Sequence, residues 1–93
     1  MQKIERDLKI VNKLGLHARA AVQLVQVTEQ FAATVTVTVC SQGKRAPANS
    51  VMGLLMLETA QGHAIRVVAE GKDAAAAMEA VAELVAARFN EAE

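Results

Sequence analysis

Aromatic side chains are nearly missing from this sequence: it has no Trp and no Tyr, and only Phe31 and Phe89 stand for the class. With so few rings there is no platform for stacking nucleobases. Net charge is also absent, since ten Lys/Arg balance ten Asp/Glu, so nothing grips a phosphate backbone by bulk electrostatics. Nucleic acid is therefore not an expected partner. The one cysteine, Cys40, cannot form an internal disulfide, which suits a reducing compartment. No apolar run approaches the roughly 20 residues a membrane helix needs, and the charged start MQKIERDLKI is unlike a secretory leader. A cytoplasmic chain without membrane insertion is expected. No Cys–His spacing suggests a metal site and no G-x-x-x-x-G-K-[ST] run could cradle a nucleotide, so neither metal nor cofactor is expected.

What is present is a large apolar fraction, 53% of 93 residues, carried by Val, Leu and Ala. That length accommodates one domain over residues 1–93, expected as a monomer. Its core must be efficient, because so short a chain buries only about 60–65% of its unfolded surface. The charges are unevenly placed. Residues 1–47 hold seven Lys/Arg against three Asp/Glu, a net +4, and residues 48–93 reverse those counts to −4. The basic part suits an anionic substrate or partner.

Periodicity sets the order of elements. Ile4, Leu8 and Ile10 alternate with charged residues and predict a half-buried strand. The loop N-K-L-G-L-H follows. From Ala18 the period becomes helical, with Ala21, Leu24, Val25, Thr28 and Phe31 on one stripe and Arg19, Gln23, Gln26 and Gln30 opposite. Thr34–Cys40 alternates strictly, placing Val35, Val37 and Val39 inward and the threonines on an uncovered sheet face, with Cys40 expected as a small buried residue. Ser41-Gln42-Gly43 is hairpin chemistry, and Pro47 confines the next strand, 44–48, to a sheet edge. Ser50 reads as the N-cap of a short helix through about Leu57, 64–70 as a strand, and Asp73 as the cap of a long helix with Ala74, Ala77, Met78, Val81, Leu84, Val85 and Phe89 inward. The order β-α-β-β-α-β-α predicts an α+β fold: an open-faced two-layer sandwich with a four-stranded antiparallel sheet and three helices on one face.

His17 stands directly before the first helix. Unpaired N–H groups and the positive end of the helix dipole favour a phosphate there and disfavour an imidazolium. A neutral ring nitrogen can attack phosphorus, and Arg19, two residues on, can neutralise the transferring group. Gly15 leaves room for a partner's backbone or for an unusual φ. A lone His at a helix start is ordinarily a polar surface residue, and Arg19 alone an ordinary solvated one; together they fit a phosphohistidine site as well as they fit a solvated helix start.

The segment K-L-G-L-H-A-R-A-A, Lys13 to Ala21, closely resembles the active-site signature of HPr, the histidine-containing phosphocarrier of the bacterial phosphoenolpyruvate-dependent phosphotransferase system. A-N-S-V-M-G-L-L-M-L, Ala48–Leu57, is similar to that family's regulatory-serine segment. The resemblance spans nearly the whole chain and lies closer to the nitrogen-related carriers than to those of sugar transport. It implies that His17 accepts a phosphoryl group on Nδ1 from enzyme I and passes it to an EIIA-type acceptor, that Arg19 supports the transfer, and that Ser50 is the target of an HPr kinase/phosphorylase where one exists. The chain would then be a carrier rather than an enzyme. Ala20 departs from the proline many relatives carry after the arginine, which loses a fixed φ in the first helical turn.

A phosphate on Ser50 would sit at a helix start and add about −1.5 to −2 charges beside the docking surface. The helix after Ser50 has no polar face, so some of it should remain exposed as a partner site. Val51, Met52 and Leu55, joined by Val22, are the expected patch. Two other readings compete. A small α/β ligand-binding regulatory module explains the sheet but not His17 and Arg19 together. A cysteine–histidine enzyme would require a reactive Cys40. His63, in a turn after Gly62, reads as surface decoration.

Overall fold

The computed structural model describes residues 2–92. The elements run β1 (Gln2–Lys9), α1 (Ala18–Thr28), β2 (Thr34–Val39), β3 (Arg45–Pro47), α2 (Val51–Leu55), β4 (Ala64–Gly71) and α3 (Ala74–Ala86), followed by a single tight turn at Arg88–Asn90. The four strands form one antiparallel sheet in the order β1-β4-β2-β3. The α+β expectation of a two-layer sandwich with helices on one face holds. Pro47 sits in the edge strand β3, where a missing N–H breaks no ladder.

Alternation decides which side of the sheet is covered. Val35, Val37 and Val39 of β2, with Ile65, Val67 and Ala69 of β4, are buried under the helices. In the same register Thr36 faces Val68, and Thr38 faces Arg66, on the uncovered side. There Arg66 forms a two-pronged contact with Asp7 at 2.8 and 3.3 Å, directly across the β1–β4 pair. The Arg66 guanidinium holds the Asp7 carboxyl below the usual carboxylate range. Both side chains are more than half exposed, so the pair contributes little to stability.

From α1, Ala20, Ala21 and Leu24 enter the core, and from α3 so do Ala74, Ala77, Met78, Val81, Leu84 and Val85. Small alanines let the helices approach the sheet closely, which is how a core with one buried aromatic ring can still pack. None of the helices among the described residues is long and apolar enough to cross a membrane.

Three expectations are corrected. Cys40 is exposed: it follows Val39 in a strict alternation, and the period that buries Val39 turns its neighbour to the other face. Asp73 occupies the cap position of α3 but makes no capping bond. Its Oδ2 instead accepts the Ala32 N–H at 2.8 Å, tying the turn before β2 to the start of α3. Phe89 does not continue the α3 helix. That helix ends at Ala86, and Arg88, Phe89 and Asn90 take left-handed φ values of 59°, 52° and 63°. The turn swings Phe89 back into the core, where it is 1% exposed.

Candidate functional site

His17 is the N-cap of α1, with extended backbone and its carbonyl accepting the Ala21 N–H at 2.8 Å. Its Nδ1 accepts a long bond from the Arg19 N–H, 3.3 Å, so the ring caps the helix in the way a Ser or Asp normally does. The side chain is about one quarter exposed, hence reachable from solvent and not lost in the core.

The opposite ring nitrogen is where sequence reasoning fell short. Nε2 contacts the Glu91 Oε2, a residue 74 positions away. Glu91 is in turn held through Oε1 by the Asn12 Nδ2 at 2.9 Å, and the same Asn12 amide donates to the Gly15 carbonyl at 2.8 Å. Asn12 is fully buried. One amide thus fixes both the loop before His17 and the carboxylate behind it.

These bonds select a tautomer. Nδ1 accepts a backbone N–H and therefore carries no proton in the neutral ring. Nε2 must then bear it, and donates it to the carboxylate. Hydrogen bonds from Asn12 first, then His17, with the Arg19 charge nearby, hold the Glu91 carboxyl below its ordinary range. Because its folded value is depressed, Glu91's contribution is present at neutral pH and is lost only as pH falls through the lowered value.

Gly15 has φ +68° and is buried. Room for a partner's backbone is not what it provides: the space is filled by this chain's own turn. An added Cβ would run into the Thr59 carbonyl oxygen and lie 2.9 Å from the Ala60 Cα, both backbone atoms that cannot swing aside. Gly15→Ala should therefore cost about 2 kcal/mol or more, combining left-handed strain with backbone displacement. For a domain of this size the melting temperature should fall by about 10 °C, readable by circular dichroism.

Ser50 caps α2, its Oγ accepting the Gly53 N–H at 3.0 Å. The helix presents two faces. Val51 and Leu55, four apart, turn toward the core margin and are half-buried. Met52 and Met56, also four apart, point outward at 68% and 67% exposed. Val22 on α1 is 41% exposed, and Leu14, in the loop before His17, is 65% exposed. The large exposed apolar side chains are thus Leu14, Val22, Met52 and Met56, while Val51 and Leu55 are half-buried. Methionine periodicity could have supplied Met56; Leu14 carries no periodic signal because it lies in a loop. Arg19 is exposed and, with Lys13, Leu14, Asn90, Glu91 and Ala92, lines an open cleft beside His17. His63 accepts the Ala60 N–H on Nδ1 at 3.0 Å, a turn-forming role.

Comparison with known proteins gives consistent matches. The family model described as the PTS HPr component phosphorylation site matches residues 4–87. The chain is 50% identical over 93 residues to the phosphocarrier protein NPr of Shewanella violacea, covering 99% of each chain. It is 43% identical over 88 residues to the phosphocarrier protein HPr of Xylella fastidiosa, covering 95% of this chain and 97% of that one. Among solved structures, HPr-C-His from Thermoanaerobacter tengcongensis superposes with a TM-score of 0.88 at 33% identity over the full length of both chains.

Proposed function

The chain belongs to the HPr family of phosphocarriers of the phosphotransferase system, and we propose on that footing that His17 Nδ1 is the atom that carries the phosphoryl group. The observation that supports this most is the ring's position: Nδ1 faces the first-turn N–H groups of α1 with only the weak Arg19 contact to displace. In the transfer, the Nδ1 lone pair attacks the phosphorus of phospho-enzyme I. An Nδ1–P bond forms, the bond to the donor breaks, and its electron pair leaves with the donor. The Nε2 proton stays in place. The phosphoryl oxygens then lie near the amides of the helix start and the Arg19 guanidinium, which supply paired donors and positive charge. Passing the group to an EIIA-type acceptor reverses these steps, with no turnover of the carrier's own. On this reading residues 1–93 act as one cytoplasmic carrier domain.

Leu14, Val22, Met52 and Met56 form the surface on which enzyme I and the acceptor dock in turn. Flexible methionines suit two partners of different shape. The 50% identity to an NPr favours the nitrogen-related branch. The test is incubation with phosphoenolpyruvate and each type of enzyme I, followed by intact mass. An acid-labile, alkali-stable addition of one phosphoryl group is expected, formed fastest with the nitrogen-type enzyme I; an acid-stable product would refute a phosphohistidine.

Ser50 is the regulatory position on the same reading. It caps α2 one residue from Val51 and two from Met52, so a phosphate there places negative charge at the edge of the docking surface. Ser50→Asp should weaken association with enzyme I about tenfold while leaving the melting temperature within a few degrees, since Asp is itself a good cap. Calorimetric titration against enzyme I measures it, and unchanged affinity would count against this role.

A further inference from the structure

We infer that Glu91 is a positioning residue for phosphoryl transfer, its carboxylate fixing the His17 ring as the Nε2–H tautomer so that Nδ1 presents its lone pair. The inference rests on His17 being the carrier residue and goes beyond that reading by assigning a role to the segment after α3.

Four observations on different elements converge on it. Glu91 Oε2 meets Nε2, the ring nitrogen that does not react. Glu91 Oε1 is held by Asn12, a fully buried side chain whose other N–H organises the loop leading to His17. Residues 89 and 90 are clamped to α1 by Gln23, whose Nε2 donates to the Phe89 carbonyl at 2.9 Å while its Oε1 accepts from the Asn90 amide at 2.8 Å. Finally, Arg88, Phe89 and Asn90 all hold left-handed φ, a conformation that side chains other than glycine rarely adopt. The same turn buries Phe89 in the core and directs the residues after it toward the site. That path ends with a carboxylate against the imidazole.

The chemistry follows from what the ring must do. A neutral imidazole has one proton and two nitrogens. With no acceptor behind Nε2, only the long Arg19 N–H contact favours the Nε2–H form, and the fraction protonated on Nδ1 cannot attack phosphorus. A carboxylate at Nε2 holds the proton there. As the Nδ1–P bond forms, the ring becomes a phosphoimidazolium, and the same carboxylate faces the positive charge that develops. Where a buried carboxylate plays this part in hydrolytic triads, its conversion to amide costs about 10⁴-fold through the wrong tautomer. His17 is partly open to water, which can replace the lost acceptor in part, so the expected loss is smaller.

The experiment compares the full chain with Glu91→Gln and Glu91→Asp. Ring ¹⁵N shifts of His17 at a pH where it is neutral report the tautomer without any phosphoryl transfer. The native chain should be almost wholly Nε2–H and Glu91→Gln a mixture, with Glu91→Asp recovering most of the native ratio. Phosphoryl uptake from phosphoenolpyruvate and enzyme I should fall about tenfold in Glu91→Gln, chiefly in kcat rather than KM. A native tautomer ratio and native rate in Glu91→Gln would overturn the assignment, as would equal impairment in Glu91→Asp. If the native chain takes up no phosphoryl group, the carrier reading fails, and the ring shifts still decide whether Glu91 sets the tautomer.

Discussion

Replacing His17 with alanine is expected to abolish uptake of the acid-labile phosphoryl group, to below about one-thousandth of the native rate, while leaving the fold in place. The first half follows from chemistry. A methyl group has no lone pair, and two other candidate acceptors stand elsewhere: Ser50 caps α2, where its Oγ accepts the Gly53 N–H, and His63 lies in the turn before β4, where its Nδ1 accepts from Ala60. The second half follows from what the ring holds. Its bond to the Arg19 N–H is long, so losing the cap costs about 1 kcal/mol or less. Glu91 keeps its bond from Asn12. Intact mass after exposure to phosphoenolpyruvate and enzyme I, beside a thermal melt, separates loss of chemistry from loss of structure. A phosphate surviving the substitution would place the acceptor elsewhere.

The parts of this fold that were legible are those governed by local periodicity. The T-V-T-V-T-V alternation gave β2 and its uncovered face, the alanine- and valine-rich stripes gave α1 and α3, and Pro47 put β3 at an edge, because each signal is a relation between residues two to four positions apart. Ser50 and His17 were visible as caps for the same reason. Cys40 is exposed by the same alternation, since a residue adjacent to a buried Val in a strand points away from it. Asp73 and Phe89 failed differently. Asp73 is the right residue type for a cap, but the Ala32 N–H, 41 positions away, competes for its carboxylate and wins. The Phe89 side chain fits the α3 stripe by spacing, yet it reaches the core through a left-handed turn that no periodic pattern encodes. At the site the division is the same. His17 and Arg19 announce themselves as neighbours in sequence. Asn12 and Glu91, separated by 79 positions, meet only after the sheet and α3 are assembled, and a Glu late in the chain looks like any solvated carboxylate.

Phe89→Ala should be the most damaging single change outside the chemistry. Phe89 is among the largest fully buried side chains, and removing such a ring costs about 3–5 kcal/mol through lost contacts and the cavity left behind. The result falls near the lower end, because the segment after α3 can peel from the core rather than enclose a void, which also relieves part of its left-handed backbone strain. A net loss of about 3 kcal/mol corresponds to a fall in melting temperature of about 15 °C. Released from its anchor, the segment withdraws Glu91 from His17 and leaves Asn12 with only its bond to the Gly15 carbonyl. The His17 ring should then show the mixed tautomer of Glu91→Gln, although the substitution alters no charge. Phe89→Leu, which keeps an apolar anchor, should retain most of the stability and the native tautomer. Measuring melting temperature and ring ¹⁵N shifts on both variants tests whether burial of one aromatic ring in the core holds a carboxylate against the imidazole. A Phe89→Ala protein that melts about 15 °C lower but keeps the Nε2–H tautomer would separate the two and leave Glu91 held by Asn12 alone.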